Sequence, residues 1–297
     1  MSVVKHTIST ILSYLPTVRY TAGTFVIYLP TIAFFWFAKA NLGTLPALQF
    51  LLIFLLTGHL GGPIALHAQR KSRFLLSSLV FGDETTGTRY LAKIHGQKEI
   101  NNANKTKGNE DWALDPVYWL FHLAYFTLAS LAEECMKYIF VAPCLSSIYQ
   151  AQIAGQHLQW DNANLWAAAA AGLGFSTWEN MHYLRFQLRK PDGGDVLHNA
   201  IQRTLLCNSG HIMMVMLSAL NFLSLDVRDN PLHIIGSMWQ VLSTATLMHG
   251  CFNFFCHAMK AMGFLGWFSL KSRFSAFIGF GIQISFLASL SMLILNR

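Results

Sequence analysis

Two glutamates and a lysine lie inside an otherwise apolar stretch, LAEECMKYIF, which covers residues 131–140. In a helix, Lys137 follows Glu133 by four residues and Glu134 by three, so its ammonium can reach either carboxylate. A carboxylate in a low-dielectric environment is a stronger base than in water, and a neighbouring cation keeps one member of the pair ionised. The stretch therefore predicts a general base that acts on water, or a proton relay.

Polar side chains recur in three later apolar segments, at spacings that place them along one stripe of each helix. They are Glu179, Asn180 and His182 in the first segment, Asn208 and His211 in the second, and His249 and Asn253 in the third. Each ionised side chain at the centre of a membrane helix costs about 2.5–3.5 kcal/mol on insertion scales. Three glutamates and one lysine would together cost on the order of 10 kcal/mol, which rivals the stability of a whole domain. These groups must therefore pair, share protons or bind a ligand.

The composition places these segments in a lipid bilayer. Of the 297 residues, 53% are hydrophobic and only 12% are charged, whereas a soluble domain carries about 25% charged residues. The net charge of +7 does not indicate nucleic-acid binding, because the basic residues fall in loops between apolar runs. The five cysteines form no CxxC pair, so we expect them to be packing residues rather than disulfides.

The apolar runs predict an all-α, polytopic membrane protein with about seven transmembrane helices. The expected spans cover residues 21–38, 44–66, 117–144, 164–184, 204–224, 232–257 and 274–295. Gly58, Gly61, Gly62 and Pro63 predict a break in the second of them. No internal repeat accompanies these spans.

The spans divide the chain into four predicted units. Residues 1–66 form an N-terminal two-helix membrane hairpin, residues 67–116 a cytoplasmic loop, residues 117–257 a four-helix core, and residues 258–297 a last membrane helix. With seven spans and a cytoplasmic N-terminus, nearly all lysines and arginines fall in inside segments. The C-terminus is then expected on the opposite side of the membrane.

The four polar segments resemble the motifs of the PrsW family of intramembrane proteases, within the superfamily that includes CAAX prenyl endopeptidases and Abi proteins. Glu133, Glu134 and Lys137 match an EExxK motif, and Phe175 with Glu179 and Asn180 matches FxxxEN. The two remaining motifs are His211 and the pair His249 and Asn253, which matches HxxxN. The resemblance covers about residues 116–257, with one motif on each helix of the predicted core.

The resemblance implies an intramembrane endopeptidase in which Glu133 or Glu134 activates water. His211 and His249 would orient water or a metal ion, and Asn253 would help to bind the oxyanion. CAAX-type relatives imply metal-free catalysis by glutamate, whereas PrsW relatives imply a metalloprotease. In the second case Glu179, His211 and His249 are the expected ligands of a Zn²⁺ ion, and Lys137 and Asn180 complete the expected site.

Two features differ from the patterns of these relatives. Asn253 stands where PrsW proteins often have Asp, and Glu179 stands where CAAX-type enzymes have His. The closer likeness to PrsW therefore depends on Lys137 and on the adjacent Glu179 and Asn180.

Other functions fit the polar residues less well. The chain has no HExxH motif of a site-2 zinc protease and no GxGD motif of an aspartyl type, and a rhomboid-like Gly174-Phe-Ser176 would leave the glutamates without a role. A seven-span zinc amidase of lipids shares the expected topology. A non-catalytic membrane scaffold and a proton-coupled transporter stay open as alternatives. For the protease, the expected partners are the lipid bilayer and a membrane-protein or lipidated-peptide substrate, without nucleic acid.

Overall fold

The computed structural model describes five segments of the chain, and all of them are helical. These segments are residues 2–82, 116–153, 163–188, 196–224 and 238–261. No strand occurs within them, so the predicted all-α class is confirmed for the described part of the chain. The predicted seventh span, residues 274–295, lies outside the described residues.

The described helices follow one another in a simple order. They are α1 (Ser2–Leu42), α2 (Thr44–Leu56), α3 (Gly62–Phe81), α4 (Pro116–Ile153), α5 (Ala163–Leu188), α6 (Val196–Ser224) and α7 (Met238–Ala261). Only Gly43 separates α1 from α2, and its φ of 89° lies in the left-handed region that glycine adopts without strain. The site helices α4 to α7 correspond to predicted spans three to six.

Within the described residues, three helical stretches are long and apolar enough to cross a membrane. They are Val18–Leu42, Thr44–Phe81 and Asn199–Phe222, which overlap the first, second and fifth predicted spans. The polar residues that α4, α5 and α7 carry lower the hydropathy of those helices. The total of seven spans and the limits of the four-helix membrane core stay predictions.

The second predicted span continues where a break was expected. A π-helical turn, Thr57–Gly61, joins α2 to α3, and the helix runs on to Phe81. Pro63 is tolerated because it stands in the first turn of α3, where its missing N–H is least costly. The predicted loop 67–116 therefore begins with helical residues 67–81, and residues 83–115 lie outside the described part.

The glycines of this turn permit close packing rather than a break. A Cβ added at Gly58 would lie 2.6 Å from the backbone oxygen of Gly174 in α5. A Cβ added at Gly62 would overlap the indole ring of Trp178. Small residues at helix crossings let backbones approach closely, which is how membrane helices gain packing energy.

Helix α5 runs through the middle of the bundle and is buried along most of its length. Its run of alanines, residues 167–171, is fully or almost fully enclosed. A Cβ added at Gly172 would lie only 2.6 Å from the Cα of Ile212 in α6. The small side chains of α5 therefore set the spacing between α5 and α6, and with it the spacing of the polar residues these helices carry.

Large apolar side chains face outward on the N-terminal helices. Trp36 and Leu79 are 72% and 84% exposed, and Phe25, Leu45 and Leu52 are exposed as well. In water such a surface would be unfavourable, whereas a lipid environment accommodates it. The charged residues of α4 are found in the opposite position, inside the bundle.

Candidate active site

The three charged side chains of α4 point into the helix bundle. Glu133, Glu134 and Lys137 are 6%, 1% and 0% exposed. The surrounding helices α5, α6 and α7 supply Glu179, His211 and His249 from the predicted positions, and His211 and His249 are buried too. Contacts among these groups are one of the three outcomes expected for charges in an apolar span, beside proton sharing and ligand binding.

Glu134 is bonded through a single oxygen to two partners. Its Oε1 accepts hydrogen bonds from Lys137 Nζ at 2.5 Å and from His249 Nδ1 at 2.7 Å. Because the carboxylate accepts from Nδ1, the other ring nitrogen of a neutral His249, Nε2, is left with its lone pair. Glu134 thus fixes the orientation and the tautomer of His249.

His211 is held between a cation and a carboxylate. Lys137 Nζ lies 2.9 Å from His211 Nδ1, and His211 Nε2 lies 3.0 Å from Glu179 Oε2. An ammonium can only donate, so Nδ1 accepts from Lys137 and Nε2–H donates to Glu179. The motif residue Phe175 covers this side, with its ring centroid 5.3 Å from that of His211 and 4.9 Å from Lys137 Nζ. The face of the aromatic ring attracts the ammonium, and both Lys137 and His211 are buried.

Glu133 has one oxygen bonded and one without a hydrogen-bond partner. Its Oε1 accepts a hydrogen bond from Gln69 Nε2 of α3 at 2.6 Å. Its Oε2 is buried, makes no hydrogen bond, and lies 3.7 Å from His249 Nε2 and 4.0 Å from His211 Nδ1. A buried carboxylate oxygen without a partner is costly, so this position suits a proton, a water molecule or a cation.

The donor set around Glu133 Oε2 fits a metal ion. One ligand atom each from Glu133, His211 and His249 lies within 4.8 Å of the others. Imidazole nitrogens and carboxylate oxygens are the usual protein ligands of catalytic zinc, which keeps a further position open for water. A metal ion bound at His211 Nδ1 would take the place of the Lys137 ammonium there.

Glu179 belongs to a second layer of contacts beside this donor set. Its Oε2 is 3.2 Å from Arg203 Nη2, in addition to its contact with His211. Arg203 Nε donates to Asn180 Oδ1 at 3.0 Å, and Asn180 Nδ2 donates to Asn208 Oδ1 at 2.9 Å. Glu179 was predicted as the third metal ligand, but the carboxylate that lies between both imidazoles is that of Glu133.

Asn253 and His182 are not part of these contacts. Asn253 lies one helical turn beyond His249 on α7, half-buried, and makes none of the described hydrogen bonds of the site. His182 is exposed and stacks on Trp178, with ring centroids 5.6 Å apart. The structure thus joins six of the eight predicted site residues in one contact network and attaches Asn180 to it through Arg203.

Two residues of the network were not predicted from the sequence. Arg203 lies between the predicted fourth and fifth spans, and the structure places it inside α6, which begins at Val196. The sequence did offer one indication of this role. Arg203 directly precedes an apolar run, and Glu179 in the preceding predicted span could pair with it. Gln69 gave no signal, because an uncharged amide beyond the expected end of span two is unremarkable.

Comparisons with known proteins agree with this geometry. The sequence model of the PrsW family intramembrane metalloproteases matches residues 111–288. This range includes the helices α4 to α7 and every residue of the network except Gln69. No curated protein matches the chain, and no solved structure does.

Proposed function

Because the chain belongs to the PrsW family of intramembrane metalloproteases, we propose that the buried cluster on α4 to α7 is its peptidase active site. The chain is a multi-pass integral membrane protease, and proteins in the same bilayer are its substrate class. The observation that carries the proposal is Glu133 Oε2, a buried carboxylate oxygen that faces two imidazoles and has no hydrogen-bond partner. The roles of individual residues follow from this atom.

Without a bound metal ion, Glu133 is the general base. With an ion bound, its Oε2 would be a ligand instead, and the ion would activate the water. A water molecule beside the two imidazoles gives its proton to Glu133 Oε2, which lies 3.7 Å from His249 Nε2 and 4.0 Å from His211 Nδ1. Removal from bulk water strengthens this interaction, because no competing solvent screens the carboxylate. The protonated carboxyl then returns the proton to the leaving amine.

Glu134 and Lys137 position the groups that contact the water. Glu134 accepts a hydrogen bond from the Nδ1–H of His249 and so fixes the orientation of the ring. Carboxylates orient metal-binding histidines in the same way in other proteins. Lys137 neutralises Glu134 and, without a bound ion, donates a hydrogen bond to His211 Nδ1. Glu179, which Arg203 neutralises, holds the opposite edge of His211.

Glu133, His211 and His249 would hold a metal ion, as the family assignment implies. When bound, Zn²⁺ would polarise the scissile carbonyl and lower the pKa of the attacking water. Asn253, on the same face of α7 as His249 and one turn away, would donate its side-chain amide to the developing oxyanion. The half-buried Asn253 lies near enough to the surface of the bundle to meet a substrate backbone.

The substrate is a membrane protein segment or a lipidated peptide that approaches through the bilayer. Glu179 and Arg203 are 20% and 25% exposed, so the network opens at their side of the bundle. We place the N-terminus in the cytoplasm and the C-terminus on the opposite side, with seven spans. The support for this orientation is the distribution of lysines and arginines.

Mapping of protein termini in membranes of cells that express the protein tests the proteolytic role. New N-termini that appear with the wild-type chain and not with Glu133→Gln support it, provided that both forms accumulate to equal levels. Equal termini in both would contradict the role of Glu133. A cellular effect that Glu133→Gln retains in full would instead indicate a membrane scaffold.

A further inference from the structure

Gln69 contributes to the site from a helix that lies before the matched family region. It stands on α3, whereas the family match begins at residue 111. We propose that Gln69 is a positioning residue of the peptidase site, which holds Glu133 so that Oε2 faces His211 and His249. The proposal rests on the proposed function, because it assigns Gln69 to the same metal and water site.

The contact of Gln69 with Glu133 is specific to one oxygen. Gln69 Nε2 donates to Oε1 at 2.6 Å, across 64 residues of chain. A glutamate side chain has several rotatable bonds, and fixing them costs entropy on the order of 1 kcal/mol or more. With Oε1 held, the remaining oxygen is directed at the two imidazoles, 3.7 Å and 4.0 Å away.

The chemical type of Gln69 suits this task. A lysine or arginine at this position would neutralise Glu133 and compete with a metal ion for its charge. The amide of Gln69 donates one hydrogen bond and leaves the negative charge of Glu133 available. Outer hydrogen-bond partners of this kind orient metal ligands in other proteins. Arg73, one turn further along α3, lies instead over the ring of Tyr125, 5.9 Å from its centroid.

The π-helical turn explains how α3 reaches Glu133. A π turn holds roughly one residue more than an α-helical turn, so the side chains beyond it are rotated by about a quarter of a turn. At the end of the turn, a Cβ added at Gly61 would lie 3.2 Å from the ring of Phe140 and 3.6 Å from Met136 Cβ. The missing side chain lets α3 pack directly along α4, with Gln69 beside Glu133.

Zinc affinity tests the proposal apart from activity. The purified full-length chain in lipid nanodiscs is titrated with Zn²⁺ in competition with a fluorescent chelator. Gln69→Leu, which keeps the side-chain volume and removes the donor, is expected to weaken zinc binding 10–100-fold. Gln49→Leu, the same change at an exposed position of α2, is the matched control and leaves the affinity unchanged.

Each outcome separates this inference from the proposed function. If the wild-type chain binds no zinc, the proposed metal centre is wrong. If it binds zinc and Gln69→Leu binds equally well, the centre stands and the role of Gln69 is overturned. Should Gln69→Leu fail to fold, Gln69→Asn keeps the amide on a shorter side chain, and we expect it to bind zinc more weakly than the wild type. An affinity for Gln69→Asn equal to that of the wild type would also overturn the proposal.

Discussion

Replacement of Lys137 by methionine tests whether the buried charges form one interdependent unit. Lys137 is fully buried, and its Nζ contacts Glu134 Oε1 at 2.5 Å and His211 Nδ1 at 2.9 Å. Methionine fills a similar volume but leaves Glu134 as a buried carboxylate without its cation. Loss of one partner of a buried ion pair costs about 3–5 kcal/mol.

The expected effect of Lys137→Met is close to the upper end of that range. Glu134 is 1% exposed, so little solvent can compensate its charge, and only the hydrogen bond from His249 Nδ1 remains to its Oε1. His211 Nδ1 also loses its donor. Adding Glu134→Gln removes the unpaired charge, and we expect the double variant to recover about 1–3 kcal/mol relative to the sum of the single changes.

Equilibrium unfolding of the purified protein in detergent measures these free energies. Lys39→Met, at an exposed position in the last turn of α1, is the matched control and should change stability by less than about 0.5 kcal/mol. A Lys137→Met variant as stable as this control would refute the interdependence of the buried charges. Additive effects of Lys137→Met and Glu134→Gln would refute it as well.

Two further predictions concern packing and transition-state binding. Gly172→Leu should lower the unfolding free energy by about 1–3 kcal/mol, because the new side chain would collide with the backbone of Ile212. Ala40→Leu, at an exposed position, is its control in the same unfolding assay. Asn253→Ala should lower kcat about 10²–10³-fold with little change in KM, as loss of an oxyanion donor does in other hydrolases. An equal rise in KM with unchanged kcat would assign Asn253 to substrate binding instead.

The cluster could be predicted from the sequence because charges in a membrane span are expensive. Glu133, Glu134, Lys137 and Glu179 each need a partner, and the other predicted helices of the core carry histidines and asparagines that can serve. Composition and apolar runs were likewise enough for the all-α class. Both predictions depend on the free-energy cost of placing charged side chains in a membrane, and that cost can be read from the residue types alone.

The contacts that were not predicted depend on the rotation of each helix about its axis and on where the helix begins. A single sequence indicates both only weakly. Gln69 contacts Glu133 from a helix that follows a π turn, and the glycines of this turn also resemble a helix break. Arg203 stands just before the predicted fifth span, which begins at residue 204, whereas α6 begins at Val196 and includes Arg203. The choice of Glu133 over Glu179 as the carboxylate between the imidazoles depends on side-chain directions that only coordinates supply.

Metal content of the purified, active protein tests the central claim most directly. Mass spectrometry of the wild type, Glu133→Gln, His249→Ala and Glu179→Gln forms would measure zinc per chain. We predict about one zinc ion per wild-type chain, its loss in Glu133→Gln and His249→Ala, and its retention in Glu179→Gln. An active wild-type preparation without metal, or full zinc content in Glu133→Gln, would contradict the assignment of Glu133, His211 and His249 as the metal site.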